Sequence, residues 1–267
     1  MARIEFFGLG EMGYAMAGHL ARAGHAVTPQ DLDAQRLAHW HAEFNPPHAE
    51  PAEALITSVT DLAAIQALRD TPDGIAARLR PGMLWIDHTT TSPAFARECA
   101  ALAQVRGAAF VDAAMSGGAV GAQAGELALF AGGVEADAAW ASEITRPYCK
   151  HFFHLGTSGA GQAAKLAHQL AIAGTVLGLN AALSYGGSQG LAAPQLLAAL
   201  AQGTARSAQL AQHQDKMELP GFDFSAGFAW LAKDLAALPA DAPLLPMLLR
   251  SWLQEGGAGT ANTTGAQ

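Results

Sequence analysis

The stretch Gly8-Leu9-Gly10-Glu11-Met12-Gly13 constrains this chain most, because of what flanks it. Arg3 to Phe7 is a short apolar run that reads as a buried parallel strand. Tyr14 to Ala23 is Ala-rich and helical in character, and it stops at Gly24, a helix C-terminal signal. A second strand, Ala26 to Pro29, follows, with Asp31 roughly twenty residues past the first glycine. Glycines allow the tight turn and a close backbone approach, and the helix N-terminus favours a pyrophosphate. A glycine-rich turn without a ligand needs the glycines but not this register of strand, helix, strand and acid. The stretch therefore predicts a dinucleotide site, although S-adenosylmethionine and flavin also use Gly-rich first loops.

Charge bears on which dinucleotide. A 2′-phosphate is usually met by arginine just after the second strand. Here Asp31, Leu32 and Asp33 stand there and the next basic residue is Arg36, so NAD is expected in preference to NADP.

Downstream, Ala54 to Val59, Met83 to Asp87, Ala109 to Asp112 and Leu127 to Ala131 read as strands alternating with helical pieces. That pattern predicts an α/β fold with a doubly wound parallel sheet. His88 to Pro93 is a hydroxyl-rich loop at a strand's C-terminal edge, where such sheets bind ligands. Thr91 or Ser92 can cap the following helix while Thr90 faces a ligand. Ser116-Gly117-Gly118 offers backbone N–H groups as an anion nest, or is a plain loop.

From Gly156 the strand alternation stops. A long apolar helical run from Gln162 to about Gln189 leads into Ala193 to Gln202, Thr204 to Lys216, Phe224 to Leu238 and Leu244 to Gln254, all helical in pattern. The expected domains are 1–157 and an all-α unit, 158–267, with a frayed tail from Gly256. The long run contains Lys165, His168, Gln169 and Asn180, which argues for a buried helix rather than a membrane span. The chain has four lysines against eleven arginines, and a lysine, unlike arginine, can give up its proton. Lys165 lies in the first turns of an apolar helix beside glycines, so it is expected to face a cleft. Near a nicotinamide it can act as acid to a carbonyl or base to an alcohol.

A net charge of -8 argues against nucleic acid or an anionic membrane as partner. Met1-Ala2-Arg3 runs straight into the first strand without signal-peptide architecture, and Cys99 and Cys149 match no metal spacing. A cytoplasmic location with free thiols is expected. His39, His41 and His48 lie close together, but at no standard metal spacing, and read as solvated; no metal is expected.

Taken together, the residues resemble the β-hydroxyacid dehydrogenases, relatives of 3-hydroxyisobutyrate dehydrogenase, over nearly the whole length. Gly8 to Val27 is similar to the family's cofactor signature, and Asp87 to Pro93 to its D-x-S-T-x-x-P loop with Thr89 for serine. Asp112 to Gly133 resembles its substrate motif, Gly159 to Leu170 its G-x-G-x-x-x-K-x-x-N-N motif, and Leu231 to Leu235 its K-D motif. The resemblance implies a Rossmann domain, a long interdomain helix and a helical domain, with a homodimer or homotetramer formed through the helical part. It implies Lys165 as catalytic acid/base, with Ser116, Gly117 and Gly118 holding a small substrate's carboxylate. Gly8, Leu9, Gly10, Glu11, Met12, Gly13, Asp31 and Val59 would hold the cofactor. Thr90 and Lys233 would lie near the nicotinamide and substrate, and Asp234 would support the closed site. His168 stands where the family has a substrate-contacting Asn. Asp31-Leu32 replaces the usual Asn-Arg, Phe228 sits nearer Lys233 than the family phenylalanine, and the region after Asp234 is shortened, with Asn262 or nothing at the usual acid. An imine or other carbonyl reductase and a non-catalytic dinucleotide-binding protein are the alternatives.

Overall fold

A computed structural model describes residues 1–44, 51–219 and 221–239. His48, the helix expected at Leu244 to Gln254, Asn262 and the tail lie outside the described residues. The chain divides into two compact units, Met1–Lys165 and Leu166–Gln267.

The first unit runs β1 (Arg3–Phe7), α1 (Glu11–Arg22), β2 (Ala26–Gln30), α2 (Ala34–Phe44), β3 (Ala54–Thr57), α3 (Leu62–Asp70) and α4 (Ile75–Arg78). It continues through β4 (Leu84–Asp87), α5 (Pro93–Val105), β5 (Ala109–Ser116), α6 (Gly118–Ala124), β6 (Leu127–Gly132), α7 (Glu135–Thr145) and β7 (Cys149–His154) into the start of α8 (Ala160–Ser188). The strands form one sheet in the order β2-β1-β3-β4-β5-β6-β7. Every pairing is parallel except β5 with β6, which is antiparallel and aligns Ser116 with Ala128. The sheet is the doubly wound parallel one expected, and its single antiparallel pair has a local reason. The connection through α6 is shorter than the dozen or so residues a parallel crossover needs.

β3 and β4 are buried along their whole length, as strands covered on both faces must be. One face packs Ile4, Phe6, Ile56 and Ile86 against Met16, Leu20 and Trp40. The other packs Phe7, Leu55 and Trp85 against Ile65, Phe95 and Cys99. Because β1 lies between β2 and β3, the strand order reverses there, and the carboxyl ends of β1 and β3 open the crevice where such sheets bind ligands. Both cysteines are free thiols, and burial pushes Cys99 up to about 12.

The second unit holds the rest of α8 with α9 (Ala193–Gln202), α10 (Ala208–Met217), α11 (Phe224–Gly227) and α12 (Ala229–Leu235). Ala173, Val176, Leu197, Leu210, Phe228 and Leu231 form its core. α10 starts later than the sequence suggests because the Ser207 hydroxyl caps it, accepting from the Leu210 N–H at 3.1 Å. The run expected as one helix from Phe224 breaks at Phe228, which is fully buried among Phe222, Phe224 and Trp230. α8 itself departs from the buried helix expected. Ala163, Ala167, Ala171, Gly174, Gly178, Ala181 and Tyr185 are exposed along it. It is long and apolar enough, by length and composition, to span a membrane, and 28% of its apolar stretch is buried.

Candidate active site

The turn after β1 is built from close backbone approaches. Gly8 has φ +96°, and a methyl group there would sit 2.2 Å from the Ser58 carbonyl oxygen. On Gly13 a methyl would sit 1.9 Å from the Gly8 oxygen, so neither position tolerates a side chain. Gly10 differs: it caps α1 without a side-chain acceptor, and a methyl there would meet no atom within 4 Å. The first N–H groups of α1 therefore have no side-chain cap, and the loop leaves room beside them for a pyrophosphate. Leu9, buried, anchors the loop from below, whereas Glu11 is exposed and Met12 half-buried. The Asp31 carboxylate accepts from the Leu9 N–H and, at 2.8 Å, from the Asp33 N–H. It thus ties the glycine loop to the end of β2, and a carboxylate's spare lone pairs can still receive ribose hydroxyls. Asp33 accepts from the Gln35 and Arg36 N–H groups and pairs with the Arg36 guanidinium at 3.3 Å, while Leu32 is fully exposed.

The loop after β4 is held by buried polar groups. The Asp87 carboxylate accepts from the Thr57 hydroxyl at 2.7 Å and the Thr89 N–H at 3.0 Å, and burial pushes it up to about 6. The Val59 N–H donates to the Thr89 hydroxyl at 3.3 Å, joining this loop to the end of β3. His88 is buried against the Ala113 carbonyl and the Tyr148 hydroxyl, and desolvation lowers it to about 4, so it is a neutral structural imidazole. Thr89 and Thr91 are buried and Thr90 is half-buried. Ser92, not Thr91, caps α5, accepting from the Phe95 N–H at 3.1 Å. The Thr91 hydroxyl is buried with no hydrogen-bond partner among the described residues.

β5 carries the third part. Asp112, fully buried in the middle of the strand, accepts from the Gly159 N–H at 2.7 Å and the Gln162 N–H at 2.9 Å, at the start of α8. Desolvation holds its carboxyl at about 6 against the pull of those bonds. Gly161 lets the helix seat here, because a methyl on it would lie 2.3 Å from the Phe130 oxygen. Lys165 follows one turn later and is 8% exposed, the only buried member of the four lysines. The same strand ends in Ser116, half-buried, and then Gly117 at φ +128° and Gly118 at φ +61°, both exposed. Gly118 opens α6, and a methyl there would meet nothing within 4 Å. The nest expected from the sequence is thus a positive-φ pair leading into a short helix.

In the second unit, Asp234 is buried. It accepts from the Gln169 amide at 2.6 Å and pairs with its neighbour Lys233, itself half-exposed, at 3.3 Å. His168 is half-buried beside Gln169, which is fully buried and whose amide oxygen has no partner among the described residues. Sequence reasoning missed Asp112, Gln162 and Gln169. The first signals itself as a charge inside an apolar strand, the other two as amides seven residues apart on an apolar helix. No group of three or more potential metal ligands occurs among the described residues.

Residues 3–156 match the model of the NAD binding domain of 6-phosphogluconate dehydrogenase, and residues 159–247 that of the NAD-binding region of NADP-dependent 3-hydroxyisobutyrate dehydrogenase. An oxidoreductase of Shewanella frigidimarina is 33% identical over 242 residues, covering 88% of this chain and 83% of its own. A "probable 3-hydroxyisobutyrate dehydrogenase" of Mycobacterium tuberculosis is 34% identical over 265 residues, covering 91% and 89%. The solved structure of M. tuberculosis 3-hydroxyisobutyrate dehydrogenase with L-serine superposes with a TM-score of 0.77 at 28% identity, over 97% of this chain and 95% of that one.

Proposed function

This chain belongs to the β-hydroxyacid dehydrogenase family of NAD-binding oxidoreductases, and on that premise we propose that it interconverts a small β-hydroxyacid and its semialdehyde or oxo acid. One observation carries the reading: Lys165 is buried on a helix whose start is fixed by Asp112, and that same strand ends in the Ser116-Gly117-Gly118 turn. An ammonium and an anion nest are thereby built on one frame. In the reducing direction Lys165 gives its proton to the carbonyl oxygen, and in the oxidising direction its free amine takes the hydroxyl proton. The Ser116 hydroxyl with the Gly117 and Gly118 N–H groups receives the substrate carboxylate. Thr90 lines the nicotinamide side, and Lys233, Asp234 and His168 belong to the substrate end by the family pattern. The bound dinucleotide supplies the hydride donor or acceptor at the carbinol carbon.

The first N–H groups of α1, together with Gly8 to Gly13, Asp31 and Val59, hold that dinucleotide. NAD is preferred, because Asp31 and Asp33 stand where a 2′-phosphate would lie and Arg36 is already paired with Asp33. The exposed small residues of α8 support a homodimer or homotetramer built on that helix.

The test is turnover with NAD or NADP across 3-hydroxyisobutyrate, glycerate, serine, 4-hydroxybutyrate and 3-hydroxypropionate, followed by Lys165→Met on the best substrate. A rate with NAD is expected, and the variant should lose about 10³-fold in kcat with NADH affinity nearly unchanged. A variant keeping a tenth of the wild-type rate removes the acid/base role. Silence across the panel with NADH bound removes the reaction.

A further inference from the structure

The side-chain amide of Gln162 makes two hydrogen bonds that the cofactor and substrate motifs do not explain. Its Nε2 donates to the Thr89 carbonyl at 2.7 Å, and its Oε1 accepts from the Thr91 N–H at 2.8 Å. The two partners flank Thr90. Gln162 is fully buried, its own N–H is spent on Asp112, and Lys165 follows three residues later on the same helix. From this arrangement we infer that Gln162 is a positioning residue, bracketing the backbone around Thr90 and so setting that residue in register with Lys165. The inference rests on the roles given to Thr90 and Lys165 above.

The chemistry demands glutamine. The side chain must reach from a helix to a loop and offer a donor and an acceptor at once, which an amide does and an ionised carboxylate does not. An apolar residue would strand the Thr91 N–H and the Thr89 carbonyl in a buried site, which is the costly outcome. Ahead of Thr90 the loop has two other anchors, the Thr89 N–H on Asp87 and the Thr89 hydroxyl under Val59. Beyond Thr90, the Ser92 hydroxyl bonds only into the first turn of α5, at the Phe95 N–H, whereas Gln162 ties the Thr91 N–H across to α8. Without it the two anchors ahead of Thr90 remain, but the Thr91 side loses its tie to α8 and Thr90 gains freedom to swing. Because a positioned reaction depends on reacting atoms held about 3–3.5 Å apart, a loss of order there should appear in kcat before it appears in cofactor binding.

Gln162→Met and Gln162→Glu test this, read by kcat and KM, by amide hydrogen exchange over Thr89–Phe95, and by thermal melting. For Gln162→Met, kcat should fall about 10- to 100-fold with KM for NAD within about threefold, and the Thr91 amide should exchange at least about tenfold faster. Gln162→Glu should be impaired at neutral pH. It should recover toward the wild-type kcat as pH falls, since a protonated carboxyl again donates to Thr89 and accepts from Thr91. A Met variant with kcat within about twofold of wild type overturns the inference, as does a kcat loss without faster Thr91 exchange, which marks Gln162 as general glue. Should the Met variant fail to fold, the Glu variant decides: absence of recovery at low pH overturns it. A wild type silent on every substrate counts against the proposed reaction, and Thr91 exchange then decides the clamp alone, unchanged exchange overturning it.

Discussion

The helices α1 and α8 begin in the same way and end up with opposite uses. Each is seated by a glycine pressed against sheet or turn backbone, Gly13 on the Gly8 oxygen and Gly161 on the Phe130 oxygen. Each presents the positive end of its dipole and unsatisfied N–H groups. At α8 the protein supplies its own anion, the buried Asp112 carboxylate, which takes two of those N–H groups. At α1 no side chain caps the turn, and Gly10 leaves space beside it. The difference teaches that a helix N-terminus is a ligand site only where the fold declines to fill it. The filled one becomes a rigid base, here for Lys165.

The contrast can be broken at either end. The largest effect is expected from Gly13→Ala, whose added methyl has backbone rather than a flexible side chain in its way. Destabilisation on the order of 3 kcal/mol or more, with loss of NADH binding, should show in thermal melts and fluorescence titration. A variant melting within about 2 °C of wild type would break the close-packing account. Asp112→Asn comes next, because its amide nitrogen must face one of two N–H donors, costing about 2 kcal/mol. It also carries a pH signature. An acid raised to about 6 on folding binds more protons folded than unfolded between its ordinary value and 6, so its contribution favours the fold below that window and is lost as pH rises through it. The stability gap between wild type and Asp112→Asn should therefore narrow from pH ~4 to pH ~6, by at most about 3 kcal/mol. A gap that widens would show that the two N–H bonds outweigh desolvation. The smallest change in stability belongs to Gly10→Ala, whose methyl meets no protein atom and whose φ of -61° suits alanine. Melting should move by less than about 1 kcal/mol while NADH binding weakens about tenfold or more, since only a ligand can meet that methyl. Unchanged NADH affinity would mean the pyrophosphate does not lie against Gly10.

The sequence was legible wherever a local rule fixes the outcome. The first βαβ unit, the order of strands up to β6, the α9 limits and the hydroxyl loop follow from periodicity, glycine stops and capping chemistry, which act over a few residues. α6, read as a glycine-rich loop, α7 and β7 went unread; β7, Cys149 to His154, is an edge strand with mixed burial and no clean alternation. The antiparallel β5–β6 pair was equally hidden, since strand direction depends on how far a short connection can reach.

Lys165 stood out in the sequence as a lone lysine in an apolar helix, but what holds it did not. Asp112 and the start of α8 lie about fifty residues apart in the chain, and Gln162 and Thr89 more than seventy, as their hydrogen bonds record. Residue by residue, then, the sequence determined the elements, the glycine cradle and the identity of the chemical groups. Only the tertiary structure decided which buried polar group satisfies which. Hydrogen bonds between distant segments leave no periodic trace, and their partners are set by where the sheet brings strand ends and helix starts together.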